Sequence, residues 1–149
     1  MSESIINFSL RGITTEQFAL LKNDYVETAD ANIEVGLNFG FDVNSRMVAP
    51  FFSCSFSQNS KRFIILEVAC HFEVKEEDWN TIWNEIEEKL YIPKGFATHL
   101  AILTVGTARG VLHAKTENTI FNKFFIPTVD LTAVIKEDVV LLTPDVMDH

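Results

Sequence analysis

The sequence predicts an α+β fold in which a four-stranded antiparallel β-meander is followed by helices. Between residues 13 and 74, apolar and polar residues alternate with period two in segments that short polar turns separate, and this pattern is typical of strands that bury one face. Strands joined by short turns pair antiparallel, because parallel pairing requires long crossovers. After Lys75 the apolar residues recur every three or four positions, which predicts helices.

Four segments account for the predicted sheet. The clearest spans 33–43, where the odd-numbered residues are apolar, which indicates a half-buried strand. Segments 52–57 and 64–74 alternate in the same way on either side of a hairpin turn at 58–60, where turn-forming polar residues cluster. A mixed pattern over 13–26 predicts the first strand.

Two helices are predicted after the sheet. The first spans 76–90, and its apolar face consists of Trp79, Ile82, Trp83, Ile86 and Leu90. The second runs from Phe96 to Lys115, and its apolar residues cover more than one side. One sheet leaves part of such a helix uncovered, so either the short helix or another subunit must cover the rest. Segment 131–142 is predicted to be a final helix or strand.

Length and charge limit the functions that are open to this chain. Its 149 residues fit a single domain over 1–149, with the ends, 1–12 and 143–149, expected to fray. The formal net charge is −9, and no basic run offers phosphate contacts, so we expect no nucleic-acid binding. No apolar run approaches the roughly 20 residues of a membrane span, and the N-terminus lacks the apolar core of a signal peptide. The two cysteines lack the dense spacing of a disulfide framework, so we expect a cytoplasmic protein.

Recognisable catalytic chemistry is absent from the sequence. None of the four histidines has a zinc-type spacing, and no phosphate-binding glycine loop or nucleophile elbow occurs. We therefore expect no catalytic residue, no metal, no cofactor and no enzymatic activity. His71 shares a strand face with Glu67 and Glu73, which could bind a metal, although a solvated strand face is the commoner explanation. Cys54 and Cys70 are expected to be inert core thiols.

A glycine pair on the second helix is a candidate contact. Gly106 and Gly110 form a G-x-x-x-G, although each glycine costs about 1 kcal/mol in a helix relative to alanine. Glycines at this spacing allow close approach, either by a helix of the same subunit or by another subunit. With Leu100 and Leu103 they form the predicted oligomer interface.

Two further groups of residues are candidates for binding. Several phenylalanines in or beside connections are core residues by default, but aromatic clusters at segment edges also suit capture of apolar peptide; they are Phe51, Phe52, Phe121, Phe124 and Phe125. Four carboxylates have the outward parity of two strands and either keep that face soluble or dock a basic partner; they are Glu34, Asp42, Glu67 and Glu73.

The order of elements and two short stretches resemble the SecB-like chaperone family. In that family a four-stranded antiparallel sheet precedes a long helix, and a connection with an apolar Pro-x-x-[ND]-[FL]-like segment precedes a second helix. The helix entry matches from Ile92-Pro93 to Phe96-Ala97, and the tail matches at Pro127-Thr128-Val129-Asp130-Leu131. The resemblance covers most of residues 13–135. The chain departs from the family at three places. Thr98-His99 stands where the family has a tyrosine-arginine pair, and residues 115–119 replace a Gly-Gly-Phe-Pro connection. The predicted helix at 76–90 is also longer than the corresponding segment of the family.

The resemblance implies a function and an assembly. SecB-like proteins sandwich their long helices between sheets of different subunits in a dimer of dimers, so a homodimer or homotetramer is implied. They bind unfolded or exported polypeptides in apolar grooves without ATP, and their acidic sheet face docks a translocation motor. The family contains general export chaperones and relatives that guard an antitoxin, and the sequence does not choose between these roles.

Two other classes of protein stay open at this point. A hot-dog thioesterase also wraps a sheet around an apolar helix, but its helix precedes most strands, and here no helix-borne carboxylate is available as catalyst. The other class is an oligomeric binding module for an apolar small molecule.

Overall fold

Four long strands form one antiparallel sheet within residues 5–143, the part of the chain that the computed structural model describes. They are β1 (Phe8–Leu20), β2 (Asn32–Asp42), β3 (Met47–Gln58) and β4 (Lys61–Val74). The predicted α+β class with a four-stranded antiparallel sheet is confirmed. Residues 8–12 belong to β1 and not to a frayed end, and segment 144–149 lies outside the described residues.

The strand order differs from a simple meander at one place. β2, β3 and β4 follow one another through tight turns, but β1 pairs with β4 and not with β2, so the order is β1-β4-β3-β2. The connection over 21–31 is long enough to carry the chain to the other edge of the sheet, because a residue of extended chain reaches about 3.3 Å and strands are about 4.8 Å apart. Alternation predicts the face of a residue but not the neighbour of its strand.

The register divides the side chains of this main sheet between two faces. Leu37 lies opposite Phe52, which lies opposite Val68, and these residues belong to the inner face, on which the long helix packs. Glu34 lies opposite Ser55 and projects from the other side, here called the outer face.

The predicted helix over 76–90 is wrong beyond Ile82. Helix α1 spans Glu76–Ile82, and β5 (Trp83–Asn84) and β6 (Lys89–Ile92) then pair as a hairpin. A longer helix would place the three carboxylates of segment 85–88 near its C-terminal end, where the helix dipole disfavours negative charge. The segment forms a turn, in which Asn84 Oδ1 accepts a hydrogen bond from the Glu87 amide at 3.0 Å.

The long helix α2 spans Lys94–Thr116, close to the predicted bounds. It packs on β3 and β4 with its buried residues, among them Leu100, Ala101, Val105, Ala108 and Leu112. The amide of Lys94 donates a hydrogen bond to Asp138 Oδ1 at 2.8 Å, which satisfies one of the free donors at the helix start. No helix in the described range is both long and apolar enough to cross a membrane.

After α2 the chain runs without regular structure to α3 (Leu131–Val134) and β7 (Val139–Leu142). β7 joins β5 and β6 in a small second sheet of order β5-β6-β7. Arg109 on α2 holds the connection, since its Nε and Nη2 donate to the carbonyls of Ile126 and Pro127 at 2.8 and 2.9 Å. Segment 131–142, predicted to be a helix or a strand, contains both a helix, α3, and a strand, β7.

Candidate binding surfaces

The main sheet is wider than the helix that covers it. α2 packs on the two central strands, because a helix about 10 Å across covers about two strands spaced about 4.8 Å apart. Inner-face residues of the edge strands are therefore exposed: Leu10 and Ile13 on β1 are 50% exposed, and Val35 on β2 is 46% exposed. These residues were not predicted as site residues, because alternation does not indicate which strands lie at an edge.

Helix α2 has an uncovered side that points away from the sheet. Ile102 and Leu103 are 52% and 38% exposed, and Gly106 and Gly110 are exposed beside them. A Cβ atom at either glycine would meet nothing within 4 Å, so no other helix of residues 5–143 crosses there. Three of the predicted interface residues thus share an exposed side, whereas the fourth, Leu100, is fully buried against the sheet.

Two of the five phenylalanines predicted to bind clients belong to an aromatic cluster at one end of the sheet. Phe121 is fully buried, and its ring centroid lies 5.1 Å from that of Tyr25 and 5.9 Å from that of Phe63. Phe124 is half-buried, 5.4 Å from the ring of Phe56. These edge and stacked contacts fix the segment after α2 to the sheet.

The other three phenylalanines lie apart from one another. Phe52 is 2% exposed on the inner face, beneath α2, whereas Phe51 is half-buried on the outer face. Phe125 is 58% exposed. The five residues therefore do not form one groove, and among them Phe125 presents the largest free surface.

The four carboxylates predicted to dock a basic partner all project from the outer face, but they form two groups. Glu67 lies opposite Ser53 near the middle of the sheet, with Glu34 close by opposite Ser55, and Asp42 and Glu73 lie in one row near one end, since both are opposite Met47. Glu67 and Glu73 are separated by about 20 Å along β4, at about 3.3 Å per residue.

The two groups differ in their partners. Arg11 Nε and Arg46 Nη2 bracket the Glu73 carboxylate at 2.7 and 3.2 Å, and Asp42 accepts a hydrogen bond from Ser45 Oγ at 2.9 Å. Within residues 5–143, no hydrogen bond or ion pair engages the side-chain carboxylate of Glu34 or of Glu67. Their negative charge is therefore the part of this face that is available to a basic partner.

Glu34 and Glu67 border a shallow cavity of about 290 Å³ on the outer face. Gly36 and Ser53 also line it, and the absence of a side chain at Gly36 deepens it. The guanidinium-bearing residue Arg62 lies at the same cavity, so the lining carries two negative charges and one positive charge.

The cysteines and His71 have structural surroundings. Cys54 and Cys70 are 3% and 1% exposed on the inner face, and burial raises the pKa of the Cys54 thiol to about 11, because desolvation penalises the thiolate. Cys54 is therefore a neutral thiol at physiological pH. His71 Nε2 lies 2.9 Å from Thr14 Oγ1 on the outer face, and no group of three His, Cys, Asp or Glu residues within 5–143 is placed to hold a metal ion.

No protein-family model matches the chain, and no curated protein matches it either. Among solved structures, the fold is similar to that of Rv1957 from Mycobacterium tuberculosis, a SecB-like chaperone solved in complex with a ChAD peptide from the HigA1 antitoxin. The match covers 83% of this chain and 91% of that chain, with 11% sequence identity and a TM-score of 0.45. The similar structure thus comes from the family that the sequence resembles.

Proposed function

We propose that this protein is an ATP-independent, chaperone-like protein that binds non-native polypeptides as a cytoplasmic oligomer. The observation that carries the proposal is the uncovered apolar surface on the helix-bearing side of the sheet: Leu10 and Ile13 on the inner face of β1, and Ile102 and Leu103 on α2. Exposed apolar surface of this kind marks interaction sites. The sequence resemblance to SecB-like proteins supports the same function.

A second copy of the chain is the proposed cover for the exposed side of α2. Ile102 and Leu103 would be buried on both copies, and full burial of an aliphatic side chain contributes about 1.5–3 kcal/mol. Gly106 and Gly110 permit two helices to approach closely. This side carries no carboxylate, so two chains of net charge −9 meet here with little local repulsion.

Client capture is proposed to involve Phe125. Its ring is exposed next to Phe124, and the contacts of Phe124 with Tyr25 and Phe63, at centroid distances of 5.8 and 5.1 Å, give it a fixed base. Because the backbone that carries Phe125 is held by these contacts, binding of apolar peptide to its ring costs little conformational entropy.

A basic partner, such as a translocation motor or a basic segment of an antitoxin, is proposed to dock at Glu34 and Glu67. Their carboxylates are free of partners within residues 5–143, whereas Glu73 is neutralised by two arginines. Such docking weakens as salt is raised, because exposed charges are screened.

The test is an aggregation assay with several chemically unfolded proteins, without ATP, combined with light scattering of the purified protein. We expect suppression of aggregation at stoichiometric concentrations and a mass of at least a dimer. A monomer that leaves every client to aggregate would overturn the proposal. Stabilisation by fatty acids or acyl-CoAs in a thermal-shift screen, without client binding, would instead indicate a small-molecule module.

A further inference from the structure

The two edges of the main sheet differ in regularity. β1 pairs with β4 through two register shifts, between Leu10 and Gly12 and between Thr15 and Gln17. Such irregularities bend an edge strand and protect it from pairing with another chain. β2 pairs with β3 without a register shift from Asn32 to Asp42, so this edge is regular; β7 contacts β2, and Gly40 and Phe41 are buried, so the exposed part of the edge lies over 32–38.

β2 also lacks two residue types that block pairing at an edge, although it carries the charged residues Glu34 and Asp42. It contains neither proline nor lysine, and within the described part of the chain it pairs with β3 alone. Val35 and Asn38, near its middle, are exposed. A regular, exposed edge offers unpaired N–H and C=O groups to an added strand.

We propose that the free edge of β2 binds an extended polypeptide segment as a fifth strand of the main sheet. The proposal rests on the proposed function, because the occupant is a segment of a non-native polypeptide. Main-chain hydrogen bonds then supply affinity that depends little on sequence, and the two faces of the added strand supply selectivity.

The residues of β2 specify the chemistry of the occupant. On the inner face the added strand lies beside Val35 and Leu37, which favour apolar side chains. On the outer face it lies beside Glu34 and the cavity next to Gly36, where Glu67 contributes a second carboxylate. The preferred segment therefore alternates apolar residues with lysine or arginine.

A second copy of β2 fits this edge less well than such a segment. It would add another Glu34 and another Asp42 to the outer face, on an assembly of chains that each carry a net charge of −9. Like charges on neighbouring strands are destabilising. Lysine or arginine on the added strand would instead neutralise Glu34.

The test uses a fluorescent peptide of about nine residues in which valine or threonine alternates with lysine, enough to span the strand at about 3.3 Å per residue. Two versions carry backbone N-methyl groups on either the odd or the even residues. Because alternate N–H groups of an added strand point to its neighbour, one version should lose affinity on the order of tenfold, and the other should stay within about twofold. Equal affinities of the two versions would overturn the proposal.

Variants of the full chain locate the site. Val35→Lys should weaken binding of the unmethylated peptide, and Val134→Lys on α3 is the matched control, since the two valines are 46% and 55% exposed. Glu34→Lys should weaken the lysine peptide and improve binding of a peptide with glutamate in place of lysine. In hydrogen exchange, alternate amides of β2 should gain protection when peptide is added. Equal weakening by Val35→Lys and Val134→Lys would place the peptide elsewhere.

The outcomes separate this inference from the proposed function. Suppression of client aggregation without strand-peptide binding at β2 would overturn the inference and leave the chaperone function standing. Binding of the peptide at β2 by a protein that protects no client would support the edge site and overturn the chaperone function.

Discussion

Trp83 on β5 lies directly opposite Leu90 on β6, and its indole also stacks on Trp79 with ring centroids 6.3 Å apart. This cross-strand pair belongs to the hairpin in which the chain reverses direction after α1. Ile86, at the turn, is 97% exposed, whereas Ile82, at the end of α1, is 5% exposed. Two isoleucines four residues apart, which would share one face of a continuous helix, therefore lie in opposite environments.

Replacement of Ile86 by lysine should leave the fold stable. We expect Ile86→Lys to change the free energy of unfolding by less than about 0.5 kcal/mol, because the side chain is already in solvent. Ile82→Lys is the matched control and should cost about 3 kcal/mol or more, because it buries a charge without a partner. Urea denaturation measures both, and similar losses for the two variants would contradict the hairpin.

Gly106→Leu should separate assembly from folding. A Cβ atom at this position meets no atom of residues 5–143 within 4 Å other than those of its own stretch of helix, so the subunit should keep its secondary structure by circular dichroism. If a second copy covers α2, the new side chain prevents close approach and should dissociate the assembly. Gly106→Ala, which adds one methyl group and improves helix propensity by about 1 kcal/mol, is the control. If the mass of the Gly106→Leu assembly in light scattering equals that of the wild type, the glycines do not lie at the interface.

Phe125→Ser should weaken client capture with the fold intact. The ring is 58% exposed, so its removal costs little stability but removes apolar contact area. Phe121→Ser is unsuitable for this purpose, because loss of a fully buried phenylalanine costs about 3–5 kcal/mol. Aggregation suppression by the Phe125 variant, checked against its circular dichroism, is the measurement. If this variant suppresses client aggregation as well as the wild-type protein does, the client binds elsewhere.

Cys54 should make the protein less stable in alkali. Its thiol has a pKa of 9.0 in the unfolded chain and about 11 in the folded one. Between pH 9 and 11 the unfolded chain therefore releases a proton that the folded chain retains, so the free energy of unfolding falls as the pH rises through this window. Below pH 9 the contribution is constant. Cys54→Val should show a shallower decline in urea denaturation across the same window, and equal slopes would contradict the raised pKa.

Much of the main sheet could be predicted from single residues and their spacing. The alternation over 33–43 correctly assigned Phe41 to the core and Glu34 to the outer face, because the side-chain period of a strand is fixed by backbone geometry. The bounds of α2 followed in the same way from Pro93 and the apolar spacing after it. The outward parity of the four carboxylates was likewise correct, although their docking role is still a prediction.

What tertiary structure decided is which segments became neighbours. Segment 83–92 has helical spacing, yet pairing of Trp83 with Leu90 and of Ile92 with Val139 gives its backbone the hydrogen bonds of a sheet. β1 could lie at either edge, and its place beside β4 leaves β2 at the other edge and brings Arg11 to Glu73. Such contacts join residues that are far apart in the chain. Local periodicity predicts the type of an element and which of its faces is buried, but it does not indicate which distant segment the element pairs with.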